Sequence, residues 1–198
     1  MTSKTEIANK TLSKIGDRRV SNIETDPSER AQVINQMYDQ VRDELLSSFP
    51  WNFAIKRVLL AKSATAPAWG YTNQYPVPAD FLALLGIDGS PNYTIEDGNI
   101  LTNEGAPLKI RYIRRIEDAG SFTPTFAEAL SCELAVESVE RISGSNTKKQ
   151  ILAQQRDAAI KKAYANDSIQ NPPQELVQSD WISAREDSVI YDNIDYNA

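Results

Sequence analysis

An α+β architecture is what this sequence predicts: a helical bundle built by N- and C-terminal helices, a small inserted β lobe, and an extended C-terminal tail. Three observations carry it. Apolar residues recur at helical spacing up to about Ser48, and again from Thr123 to Ala165. Between these stretches they alternate, or run in short β-branched and leucine-rich blocks. From Asn166 onward, large apolar residues stand isolated in polar, acidic chain that cannot bury a core of its own. The expected units are residues 1–50 and 120–165 for the bundle, 51–119 for the β lobe and 166–198 for the arm.

The helices announce themselves by their ends. Ser3 and Glu6 form a capping-box pattern, and Ile7, Leu12 and Ile15 mark an apolar face that stops at Gly16. Asp26-Pro27-Ser28-Glu29 reads as a second start, with Asp26 as N-cap and Pro27 in the first helical position. Ala31, Ile34, Met37, Tyr38, Val41 and Leu45 then repeat at three and four residues to about Ser48. Thr123-Pro124 opens a third helix, closed by Gly144. Phe126, Leu130, Leu134, Val136, Val139 and Ile142 make it apolar over most of its circumference, so it should be the most buried. A fourth helix is expected over Asn146 to Ala165.

The change from helical to β patterning falls at Ser48 to Leu60. Pro50 has no backbone N–H and disfavours helix at Phe49, so the second helix must stop there. Phe49, Trp51 and Phe53 then place three large rings in one short segment of a chain that is only 8% aromatic, which suggests a packed junction between the two parts. Phe53 to Lys62 reads as a strand, Ala64 to Asp80 as loop, and Phe81 to Ile87 as a buried strand. Tyr93 to Thr102 reads as a hairpin turning at Asp97-Gly98. Leu108 to Ile113 alternates as a strand with one partly solvated face.

Composition narrows the chemistry. The chain has 198 residues and no histidine, which removes Ser-His-Asp and Cys-His schemes and the commonest metal ligand. Its single cysteine, Cys132, allows neither an intrachain disulfide nor a cysteine zinc site, and its mid-helix apolar setting suggests a buried structural thiol. No window suits a membrane span and no signal-peptide core opens the chain, so a soluble protein made in a cytosol is expected. Neither a phosphate-cradling glycine loop nor a metal-ligand set is present, so no cofactor and no metal are expected. From Asn166 onward, seven acids face Arg185 alone, which accounts for the entire net charge of −6. Lys109, Arg111, Arg114 and Arg115 form the densest basic cluster. It reads as a solvated strand face or as a set of partners for acids of a neighbouring chain, with nucleic-acid backbone contact as the alternative.

The order of helices, Phe49-Pro50-Trp51-Asn52-Phe53-Ala54, Tyr75-x-x-Pro78-Ala79-Asp80-Phe81-Leu82, hairpin, helices and polar tail resembles the head-to-tail adaptor (connector) proteins of tailed bacteriophages. The likeness is nearest to the tail tubular protein A kind of short-tailed phages and covers roughly residues 4–165. Val77 stands where leucine is more usual, and the tail has no matching motif. The resemblance implies a non-enzymatic virion protein of the neck, assembled in the host cytoplasm. It implies a ring, usually of twelve copies, beneath the portal protein. Such a ring extends the channel through which DNA passes without sequence-specific contact, and it docks a nozzle or tail protein; no membrane is involved. The alternative is a tail-associated, carboxylate-dependent glycan hydrolase, although Asp80, Asp88, Glu96 and Asp97 all sit at expected turns.

The expected binding residues lie in the arm. Pro172 and Pro173 keep a segment extended as it leaves the last helix. Leu176, Trp181, Ile190 and Tyr191 supply isolated apolar anchors that need a partner, either the portal or a neighbouring adaptor subunit.

Overall fold

The computed structural model describes residues 2–170 and has an α+β fold. Helices α1 (Lys4–Ile15) and α2 (Glu29–Ser47) precede the strands β1 (Ile55–Leu60), β2 (Asn73–Pro76) and β3 (Phe81–Ile87). Strands β4 (Tyr93–Glu96), β5 (Asn99–Thr102) and β6 (Leu108–Arg114) follow, then helices α3 (Pro124–Ser143) and α4 (Asn146–Ile169).

Local chemistry sets most helix ends. At α1 the Ser3 hydroxyl accepts the Glu6 N–H at 3.1 Å while the Glu6 carboxylate accepts the Ser3 N–H at 2.9 Å. Gly16 ends the helix at φ +84°, a backbone state that side chains resist. The Thr123 hydroxyl caps α3 by accepting the Phe126 N–H, and Gly144 closes it. The start of α2 differs from expectation. Asp26 accepts the N–H of Ser28 at 2.9 Å, a local turn that brings the chain round, so Ser28 rather than Asp26 is the N-cap and Pro27 lies outside the helix. Before it, the Asn9 side chain pins the connecting segment to α1, accepting from the Val20 N–H and donating to the Val20 carbonyl.

Helix α3 is the hub, packing on α1, α2 and α4. Ile7, Leu12, Ile34, Leu46, Trp51, Phe126, Leu130 and Leu134 are fully buried in the shared core. Cys132 lies buried on the same helix; burial pushes its thiol pKa up against the opposing influence of Lys14, as an inert structural thiol requires.

The strands make two antiparallel sheets, β1-β6-β3 and β2-β5-β4. In the first, Lys56↔Tyr112, Val58↔Ile110 and Leu60↔Leu108 share one face, and Ile55↔Ile113, Arg57↔Arg111 and Leu59↔Lys109 share the other. The former packs against Tyr75 and Ile100 of the second sheet to form the lobe's own core. On the latter, Ile113 joins the helical core, with Ala83 and Leu85 beside it. The face is covered at its Ile113 end, and Leu59 is 61% exposed at the other.

Three expected boundaries shift. Asn52–Ala54 forms a short 3-10 turn, with Ile55 N–H bonding back to the Trp51 carbonyl, so β1 begins at Ile55 rather than Phe53. The stretch expected as loop contains β2, because Tyr75 is fully buried and its hydroxyl donates to the Glu104 carbonyl at 2.8 Å. Pro76, lacking an N–H, is tolerated at the end of this edge strand. Helix α4 continues to Ile169, so residues 166–169 are helix rather than extended arm, for a reason that lies in Asp167.

Candidate functional site

Two structural features meet where the helices hand over to the sheets: an aromatic box and a carboxylate latch. Trp51 fills the box. Its ring is fully buried and its indole N–H donates to the Leu45 carbonyl at 2.9 Å, tying it to the last turn of α2. Phe126 of α3 meets it edge-on at 5.0 Å, Phe49 at 5.1 Å, and Tyr164 of α4 at 5.2 Å. Phe49 stacks on Tyr164 at 4.3 Å, and Phe53 meets Phe126 edge-on at 5.1 Å. Phe49, Trp51 and Phe53 therefore lie together as expected. Trp51, with no exposed surface, offers no face on which a ligand could stack, while Phe49, Phe53 and Tyr164 are half-buried around it; the box acts as a joint.

The latch closes the box from the far end of the chain. Asp167 is 5% exposed, and its two carboxylate oxygens accept the Asn52 N–H at 3.2 and 3.0 Å, while the Asn52 side chain donates to the Asp167 carbonyl at 2.6 Å. This pairing extends α4 to Ile169 and fixes where the chain leaves the helix. Burial raises the Asp167 pKa, and the hydrogen bond from Asn52 offsets only part of that. A carboxyl whose pKa is higher in the folded than in the unfolded state binds its proton more tightly when folded. Its ionisation therefore costs stability above the ordinary aspartate range, and that cost is relieved as pH falls through the raised value. Asp167→Asn should be at least as stable as wild type at neutral pH and lose this acid-side gain. Asp167→Ala should lose about 1–3 kcal/mol, because Asn52 is deprived of a buried acceptor. Chemical denaturation of both variants between pH 4 and 7, as an approximate range bracketing the carboxyl titration, checks the signs.

The second motif stretch joins the two sheets. Asp80 accepts from the Tyr112 hydroxyl at 2.7 Å and pairs with Lys56 at 3.0 Å. Burial would raise its pKa, but the bonds from Tyr112 and Lys56 outweigh that and hold it below the ordinary range. Phe81 stacks on Tyr112 at 5.6 Å, and the Arg115 N–H bonds the Asp80 carbonyl. Asp88 pairs with Lys109. Both turn carboxylates thus hold cations of the first sheet, Lys56 on β1 and Lys109 on β6.

The basic cluster is dispersed by the fold. Arg115 turns toward the helices and binds Asp43 at 2.7 Å. Arg114 lies on the strand face opposite to Lys109 and Arg111. In its place comes Arg57 of β1, directly across from Arg111, a neighbour that no count along the sequence reveals. Pro172, Pro173, Leu176, Trp181, Ile190 and Tyr191 lie outside the described residues. Among the described residues, no group of histidine, cysteine, aspartate and glutamate side chains converges to hold a metal ion, and no helix is long and apolar enough to cross a membrane. No protein-family model matches the chain, and no curated protein gives a match.

Proposed function

We propose that this chain is a structural assembly protein, a head-to-tail adaptor that forms a ring beneath a phage portal, extends the DNA channel and docks the tail or nozzle. The observation that supports it is the placement of the two motifs behind the resemblance. Phe49 to Ala54 makes the joint between helices and β1, and Tyr75 to Leu82 makes the joint between the two sheets. Both motifs thus serve construction, with their polar groups engaged in internal bonds. A helical body, a β lobe projecting from it and an acidic, apolar-studded C-terminal sequence give one subunit several unlike surfaces. A ring of heterologous contacts needs such unlike surfaces. Sedimentation of the protein with portal-bearing capsids tests this reading. Co-migration with capsids, together with a small free species when capsids are omitted, is the expected result. Failure to co-migrate at any ratio would overturn it.

A further inference from the structure

We propose that the open end of the first sheet is a docking groove for the acidic C-terminal segment, residues 171–198, of the same chain. Beyond Ile113, β1, β6 and β3 enclose an open groove of about 900 Å³, lined by Arg57, Leu59, Leu85, Lys109 and Arg111 among others. Its lining mixes apolar Leu59 and Leu85 with the cations Arg57, Lys109 and Arg111, and among the described residues Asp88 is its one acid. Arg57 and Arg111 stand directly opposite each other, and Leu59 stands opposite Lys109. Two like charges in direct cross-strand register repel, a cost that a bound anion would reverse. Among the described residues neither arginine has an ion-pair partner. Lys109 has one, Asp88 at 3.0 Å, but both side chains are well exposed, so that pair holds little energy and can exchange. On the third strand, Gly86 lies across from Arg111, and a Cβ there would meet nothing within 4 Å. The sheet thus leaves the space above Arg111 empty.

The chemistry of residues 171–198 fits that space. They carry six acids, Glu175, Asp180, Glu186, Asp187, Asp192 and Asp195, against one base, Arg185. Their isolated Leu176, Trp181, Ile190 and Tyr191 match the apolar part of the lining, where Leu59 is 61% exposed. Guanidinium groups bind carboxylates in two-pronged fashion, which favours arginines in the lining for such a guest. Location favours the chain's own segment over another's: the latch holds Asp167 against Asn52, three residues before β1, and Gln170 follows as the C-cap of α4. At about 3.3 Å per extended residue, the segment is several times longer than β1 itself. This inference concerns the free chain and does not rest on the adaptor reading.

Limited chymotrypsin digestion of the full-length chain tests it, with cleavage after Trp181 followed by mass spectrometry and cleavage after the exposed Trp69 as internal control. The double variant Arg57→Glu/Arg111→Glu should be cut after Trp181 about tenfold faster than wild type, as expected when a docked segment is released. Cleavage at Trp69 should not change. High salt should speed Trp181 cleavage in the wild type. Adding Glu186→Lys and Asp187→Lys to the double variant should restore protection, which a merely damaged fold would not allow. Equal Trp181 cleavage in wild type and double variant, or no rescue by the charge swap, would overturn the proposal. So would protection that grows with protein concentration, which would assign the groove to a second copy. Loss of single-stranded oligonucleotide binding with unchanged Trp181 cleavage would assign it to nucleic acid instead.

Discussion

Trp51→Ala should lower the free energy of unfolding by about 3–5 kcal/mol, the range for removing a fully buried large aromatic. The ring has no exposed surface, and four aromatic neighbours from α3, α4 and the junction itself pack on it. Truncation opens a cavity that these side chains cannot fill without breaking the contacts of Phe126 and Tyr164. The indole N–H bond to the Leu45 carbonyl is lost as well, at the last turn of α2. Because the box joins α2, α3, α4 and β1, the loss should appear as a single cooperative transition at lower denaturant, with the slope unchanged. Trp51→Phe should lose less, since a smaller ring still fills part of the site. A loss below about 1 kcal/mol for the alanine variant would mean that the junction is not central to the fold.

Deleting Gln174–Ala198 should leave the body folded and abolish capture by portal-bearing capsids. The buried clusters that hold α1 to α4 and the two sheets draw only on residues before the deletion. Helical circular dichroism should therefore match the full-length chain after correction for length. The deleted segment carries Leu176, Trp181, Ile190 and Tyr191 together with most of the net negative charge. Anchors of this kind carry a large share of binding energy, while the acids speed encounter and fix register. Wild-type capture by the truncated protein would remove the arm from portal binding. A melted body would place the arm in the core instead.

How far the fold could be read in advance depended on whether its causes were local. The capping box at Ser3 and Glu6, the Thr123 cap, the Gly16 and Gly144 stops and the Asp97-Gly98 hairpin act within a few residues, and each element they delimit stands where expected. The three aromatics were legible for the same reason, since their crowding shows along the chain. What escaped depended on partners distant in sequence. Strand β2 exists because it pairs with β5 and buries Tyr75 in a core that β1 and β6 complete. Residues 166–169 stay helical because Asp167 finds Asn52, 115 positions earlier. Arg57 joins the basic groove only through the β1–β6 register, while Arg115 leaves its sequence neighbours for Asp43 on α2. Asp26 misled because the same side-chain chemistry serves an N-cap and a turn two residues before one.

Electron microscopy of the protein bound to portal-bearing capsids addresses the assembly role most directly. Negative-stain averages of the capsid vertex should show an added ring of density beneath the portal, coaxial with its channel and absent from capsids without the protein. Particles that bind the protein in scattered positions, or vertices that look the same with and without it, would contradict the adaptor reading.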